Sequence, residues 1–122
     1  MPTPNFILLF VDDCARSAAF YAPLLGTEPV ETSPTFVLFG LPSGLKIGLW
    51  SHHTAEPAPT APGGGSEVGF PLASAGEVDR LHADWLGRGL PILQPPTDMD
   101  FGRTFVAVDP DGHRLRVFCP AD

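Results

Sequence analysis

Residues 102–118 read GRTFVAVDPDGHRLRVF, and this stretch predicts a β-hairpin. In the turn Asp109–Gly112, proline presets the first corner, aspartate tolerates the second, and glycine supplies a left-handed residue. A bulged turn of this kind places Asp109 opposite His113 and thereby determines which side chains share a face. One face is then apolar throughout and belongs under a helix, with the members Phe105, Ala107, Leu115 and Val117.

The chain contains two copies of one strand, helix and hairpin pattern, and this hairpin closes the second copy. Residues 5–11, NFILLFV, form a predicted strand, with Asp12 and Asp13 as cap candidates for a short helix that ends near Gly26. Residues 67–72, EVGFPL, form the corresponding strand of the second copy. Positions 6 and 67, 20 and 81, and 26 and 87 correspond at a constant offset of 61 residues. Two related halves are therefore expected.

The second predicted helix has clear end signals. Ser74 and Glu77 stand at capping-box spacing, and Val78, Leu81 and Trp85 recur on one helical face until Gly87 and Gly89 stop it. The closing hairpins correspond at an offset of 68 residues, and we attribute the difference to an inserted loop, PPTDMDFGR, at 95–103. Asp98 and Asp100 flank Met99 there, which suggests a flexible lid.

The predicted organisation is one α+β domain over residues 1–122. It comprises a first βαβββ module at 1–50, a linker rich in proline and glycine at 51–66, and a second βαβββ module at 67–122. We expect the modules to form a concave mixed sheet with helices on its outer face. By strand parity, the residues under the helices are Ile7, Leu9, Val37, Phe39, Ile47, Leu49, Val68, Phe70 and Leu72.

The opposite face collects aromatic groups and two isolated charges, which suits a pocket better than a solvated sheet. Its predicted members are Phe6, Leu8, Phe36, Leu38, Gly48, Trp50, Glu67, Gly69, Thr104, Val106, Arg116 and Phe118. This assignment depends on the bulged turn, because a two-residue turn would exchange the two faces of the last hairpin.

The amino-acid composition argues against two classes of binding partner. Seven Lys and Arg against fourteen Asp and Glu give a net charge of −7, which repels nucleic acid and anionic membranes. The N-terminus lacks the pattern of a signal peptide and no apolar run is long enough to cross a bilayer, so we expect a cytoplasmic protein. Cys14 and Cys119 are expected to be reduced, inert thiols.

The paired βαβββ order and the segments FVDDCARSAAFYAPLLG and GRTFVAVDPDGHRLRVF resemble the vicinal oxygen chelate superfamily, which includes glyoxalase I, extradiol dioxygenases and bleomycin-binding proteins. The resemblance implies a glyoxalase/bleomycin-resistance-like fold. Metal enzymes of that superfamily carry His, Gln or Glu at four positions that here hold Phe6, Gly48, Glu67 and Arg116. Only Glu67 could ligate a divalent ion, and a neighbouring arginine would repel it, so we expect neither a metal, nor another cofactor, nor a catalytic residue.

The histidines do not supply another metal site on the predicted concave face. His52 and His53 lie in the linker, His82 on a helix and His113 at a hairpin end, so we expect surface or capping roles. The sequence also lacks a nucleophile elbow and a phosphate-binding glycine loop.

Within the superfamily, FVLFGLPSGLKIGLWS, SEVGFPL and the C-terminal segment are most similar to phenazine-type antibiotic resistance proteins, which sequester planar drugs. The resemblance implies a non-enzymatic homodimer with two clefts, each built from one half of either subunit. Trp50 would be the stacking platform, and Met99 and Phe101 would close over the ligand. The implied ligand-binding residues are Phe6, Phe36, Leu38, Trp50, Glu67, Met99, Phe101, Thr104, Val106, Arg116 and Phe118.

The sequence is compatible with several alternatives. Arg116 could bind a ligand carboxylate or ring, or it could form an internal ion pair with Glu67. Trp50 could instead fill the core of a dimer seam. The protein could also be a metal-dependent lyase or dioxygenase, or a carrier of an aromatic biosynthetic intermediate.

Overall fold

The computed structural model describes residues 1–120 and contains two compact units, residues 1–63 and the residues from 64 onward. Each unit has one α-helix and one four-stranded mixed sheet, in the order strand, helix and three strands. This order confirms the predicted α+β fold with two βαβββ modules. Residues 121 and 122, the end of the predicted second module, lie outside the described residues.

The first unit has the sheet order β1-β4-β3-β2, in which β1 runs parallel to β4 and the other pairs are antiparallel. Its elements are β1 (Phe6–Val11), α1 (Cys14–Leu25), β2 (Glu31–Thr32), β3 (Phe36–Gly40) and β4 (Lys46–Ser51). The predicted helix ends are confirmed. Asp13 accepts a hydrogen bond from the Arg16 amide at 3.1 Å, and Gly26 closes α1 with a φ of 68°.

The core of the first unit lies between α1 and the sheet. Strand alternation buries Leu9, Val37, Phe39, Ile47 and Leu49, as predicted, whereas Ile7 is half-buried. Tyr21, Cys14 and Val11 are also buried. The side chains at alternate strand positions are therefore left on the face away from the helix.

The second unit repeats this topology with the order β5-β8-β7-β6, in which β5 runs parallel to β8. Its elements are β5 (Glu67–Pro71), α2 (Ala75–Gly87), β6 (Ile92–Met99), β7 (Gly102–Val108) and β8 (Arg114–Pro120). The predicted hairpin register is confirmed, with Thr104 opposite Phe118 and Val106 opposite Arg116. Asp109 accepts hydrogen bonds from the amides of Asp111 and His113, both at 2.8 Å, and thereby holds the turn.

Helix α2 begins at the predicted capping box. Ser74 Oγ accepts from the Glu77 amide at 3.2 Å, and the Glu77 carboxylate accepts from the Ser74 amide at 3.1 Å. Trp85 is buried and meets the rings of Phe70 and Phe105 edge-on, at 5.5 and 5.4 Å between centroids.

Two sequence-based expectations for the second unit are wrong. His82 is half-buried against Phe105, at 5.3 Å between ring centroids, because it lies one turn after Val78 on the apolar stripe. The expected inserted loop and flexible lid at 95–103 is instead the end of β6, a short turn and the start of β7. Pro95 and Pro96 are tolerated because β6 is an edge strand whose register shifts between Gln94 and Thr97.

Candidate functional site

The first unit presents an aromatic face, which we define as Phe6, Leu8, Phe10, Phe36, Leu38 and Trp50. These residues occupy the alternate positions of β1, β3 and β4 that point away from the helix, as the cross-strand register shows. Phe6 is 44% exposed, and the other five are half-buried. The predicted placement of Phe6, Phe36, Leu38 and Trp50 on one face of the sheet is confirmed.

Trp50 lies between two further aromatic residues. It is opposite Phe10 on the parallel neighbour β1 and opposite Phe36 on the antiparallel neighbour β3. The Phe10 and Trp50 rings are 6.2 Å apart between centroids and tilted by 33°. The sequence-based site list omitted Phe10, although the two-residue alternation from Phe6 through Leu8 places it on this face.

Gly48 provides space in the middle of the aromatic face. A Cβ atom at this position would lie 3.0 Å from the Phe6 ring and 3.0 Å from a Leu8 methyl group. The missing side chain therefore allows the Phe6 ring to lie close over the strand. The second unit repeats this device, since a Cβ at Gly69 would lie 3.3 Å from the Phe118 ring.

The second unit presents a different face, built around Glu67 and two arginines. Arg116 donates to both carboxylate oxygens of Glu67, from Nε at 2.6 Å and from Nη2 at 3.0 Å. Arg114 Nη2 lies 2.7 Å from Glu67 Oε2. The cross-strand register explains this cluster, because Glu67 is opposite Arg114 and Gly69 is opposite Arg116. The internal ion pair, one of the two alternatives for Arg116, is present.

The rest of the Arg116 guanidinium is also engaged. Nη1 donates to Thr104 Oγ1 at 3.1 Å and to Gln94 Oε1 at 3.3 Å, and the guanidinium carbon lies 5.8 Å from the centroid of the Phe101 ring. Arg116 is thus a structural centre of this face. Sequence reasoning missed Gln94 and Arg114, although Arg114 shares strand parity with Arg116.

Hydrogen bonding to Arg116 lowers the pKa of the Glu67 carboxyl below its ordinary value of 4.5, and the positive charges of Arg116 and Arg114 add to this effect. Burial acts in the opposite direction but is outweighed. Glu67 is therefore an anion at neutral pH whose two oxygens already have cationic partners.

The remaining predicted site residues of this unit differ in accessibility. Thr104 and Val106 are fully buried, whereas Phe118 is half-buried. Met99 and Phe101 are each 45% exposed at the β6–β7 hairpin, where Met99 lines a cavity of about 520 Å³ together with Ser74 and Arg103.

Metal enzymes of the vicinal oxygen chelate superfamily carry their ligands at four positions, and the residues at these positions here do not fit a metal. The space above Gly48 is taken by the Phe6 ring, and neither residue offers a ligand atom. The Glu67 carboxylate is held by Arg116 and Arg114, so a cation placed on it would meet two fixed positive charges.

Comparison with known proteins agrees with this description. Among the described residues, no helix is both long and apolar enough to span a membrane. The family model of the Glyoxalase/Bleomycin resistance protein/Dioxygenase superfamily matches residues 3–117. The phenazine antibiotic resistance protein EhpR of Enterobacter agglomerans is 38% identical over 98% of this chain and 93% of its own length.

Solved structures show the same fold. The solution structure of protein ATC0852 from Agrobacterium tumefaciens is 49% identical, with a TM-score of 0.92 over the whole of both chains. A glyoxalase/bleomycin resistance protein/dioxygenase from Nocardioides is 26% identical, with a TM-score of 0.85 over 100% of this chain and 85% of that chain. The protein belongs to the glyoxalase/bleomycin resistance protein/dioxygenase superfamily.

Proposed function

We propose that the protein binds and sequesters a planar aromatic small molecule, an antibiotic, without a metal and without altering it chemically. The observation that carries this proposal is the aromatic face. Phe6, Phe10, Phe36 and Trp50 lie together on the sheet surface away from α1, and none of them belongs to the buried core. Each aromatic pair formed with a flat ligand contributes roughly 0.5–1.5 kcal/mol beyond area burial.

The similarity to EhpR supports a phenazine-like ligand. Fused aromatic rings have wide flat surfaces. A protein therefore binds them better by stacking, here against Trp50, than by hydrogen bonds. A face made of rings and two leucines also fits a ligand whose polar groups are few and peripheral.

The face of the second unit holds further candidates for ligand binding. We retain Glu67, Met99, Phe101, Thr104, Val106, Arg116 and Phe118 as ligand-binding candidates; Glu67, Met99 and Phe101 are the most accessible of them, whereas Thr104 and Val106 are fully buried. We also propose that the protein is a cytoplasmic homodimer, as the resemblance implies.

A non-enzymatic role is supported by the ion pairs of Glu67. The one carboxylate among the four superfamily ligand positions is occupied by Arg116 and Arg114. The metal-dependent lyase or dioxygenase alternative therefore has no observation in its favour at these positions.

The test is calorimetric titration of metal-stripped protein with phenazine, quinoline and quinoxaline compounds and with bleomycin, followed by chromatographic recovery of each compound. We expect saturable binding of at least one flat compound and its recovery unchanged. Conversion of the compound, or binding that requires added metal, would overturn the proposal. Expression in a sensitive bacterium then separates the roles, because protection indicates resistance whereas binding without protection indicates a carrier.

A further inference from the structure

We propose that Asp12, His52 and His53 form a binding site for a divalent transition-metal ion such as Zn²⁺. The site is separate from the four superfamily ligand positions and independent of the proposed aromatic ligand. One ligand atom from each of these three side chains lies within 4.8 Å of the others.

The sheet brings these residues together. Strands β1 and β4 are parallel neighbours, and their last residues, Val11 and Ser51, are paired. Because the strands are parallel, the chain leaves both at the same end of the sheet. Asp12 and the two histidines therefore lie side by side. The sequence concealed this cluster because forty residues separate its two parts, and the histidines alone gave no three-ligand pattern.

The distances suit metal coordination. Asp12 Oδ1 lies 2.7 Å from His53 Nε2 and 3.4 Å from His52 Nε2. Ligand bonds of about 2.0–2.1 Å in a tetrahedral site place neighbouring ligand atoms roughly 3.3 Å apart. The two imidazoles, with centroids 4.0 Å apart, therefore need only small side-chain rotations to face one ion together with the carboxylate.

The backbone of this turn is restrained. The His52 amide donates to Val11 O at 2.9 Å, and the His53 amide donates to the hydroxyl of the buried Ser51 at 3.3 Å. The Ala55 amide closes the turn on Ser51 O at 3.0 Å. These hydrogen bonds hold the backbone of both histidines. A metal would therefore bind without ordering a flexible segment.

The donor set determines the class of metal. Two imidazoles and one carboxylate favour zinc, nickel or copper over magnesium or calcium, which prefer oxygen ligands. All three side chains are open to solvent, so water would complete the coordination. The Asp12–His53 hydrogen bond is the contact that the metal would replace.

The experiment is titration of untagged, metal-stripped protein with Zn²⁺ in competition with a chromophoric zinc indicator. We expect one Zn²⁺ per chain, more than about tenfold weaker binding in His53→Ala and in Asp12→Asn, and unchanged binding in the matched control His113→Gln. Circular dichroism melting establishes that each variant is folded, which is expected because Asp12 and His53 are exposed and glutamine at the half-buried His113 keeps a polar side chain of similar size.

Three results would overturn the proposal. These are absence of Zn²⁺ binding, unchanged binding in His53→Ala, and equal weakening in His113→Gln. NMR signals of the histidine rings give a second readout, since Zn²⁺ should shift those of His52 and His53 and leave those of His82 in place.

Discussion

Gly48 has no room for a methyl group in the present arrangement of the aromatic face. We expect Gly48→Ala to displace the Phe6 ring and to lower the free energy of unfolding by about 1 kcal/mol, because the added Cβ would lie 3.0 Å from the side-chain ends of Phe6 and Leu8, which must move. Chemical denaturation measures this change. Gly40→Ala is the control, since its Cβ would meet only a Val30 methyl group at 4.0 Å; an equal loss in both variants would refute the packing argument.

At Glu67, the lowered pKa predicts a dependence of stability on pH. A carboxylate whose pKa is lowered by folding stabilises the native state above its ordinary pKa of 4.5, and this contribution disappears as the pH falls through the lowered native value. We expect Glu67→Gln to reduce the free energy of unfolding by about 1–2 kcal/mol at pH 7. This loss lies between those typical of exposed and of buried ion pairs.

Urea denaturation of both proteins from pH 7 to pH 3 measures this contribution. The gap between the two stability curves should begin to narrow below pH 4.5 and should shrink further as the pH falls towards the lowered pKa of Glu67. Glu28→Gln, which removes the same charge at an exposed position, should follow the wild-type curve closely. A constant gap between Glu67→Gln and wild type at every pH would contradict the assigned role of the ion pair.

At the scale of single elements, the ends of α2 depend on local chemistry. We expect Ser74→Ala to lower the free energy of unfolding by about 1 kcal/mol, because the Glu77 amide loses its acceptor. Equilibrium denaturation tests this, with the exposed Ser66→Ala as control. If both variants were as stable as the wild type, the capping box would not contribute to stability.

Elements with local signals were predictable from sequence and those without were not. In the capping box and the Asp109–Gly112 turn, side chains make short-range hydrogen bonds. Gly26 adopts a left-handed backbone conformation. The residue types alone therefore identify these features. The two prolines of β6 favour a loop at 95–103, but the strand forms because its edge position tolerates proline.

At the scale of the whole molecule, the repeated βαβββ order and the two-residue alternation predicted both sheet faces. They did not reveal which polar groups meet across strands. Arg114 pairs with Glu67, Gln94 with Arg116 and Asp12 with His53, and the two residues of each pair are 22 to 47 positions apart. Such contacts depend on three-dimensional register, which a turn determines only within its own hairpin.

Calorimetric titration of the metal-stripped protein with a phenazine, comparing wild type with Trp50→Leu, tests directly whether the aromatic face binds a flat ligand. Leucine keeps an apolar side chain but removes the stacking surface, so we predict saturable binding to the wild type and at least about tenfold weaker binding to the variant. Leu86→Ala, an exposed apolar position on α2, should bind as the wild type does. Equal affinity of wild type and Trp50→Leu, or no binding of any flat compound, would contradict the account.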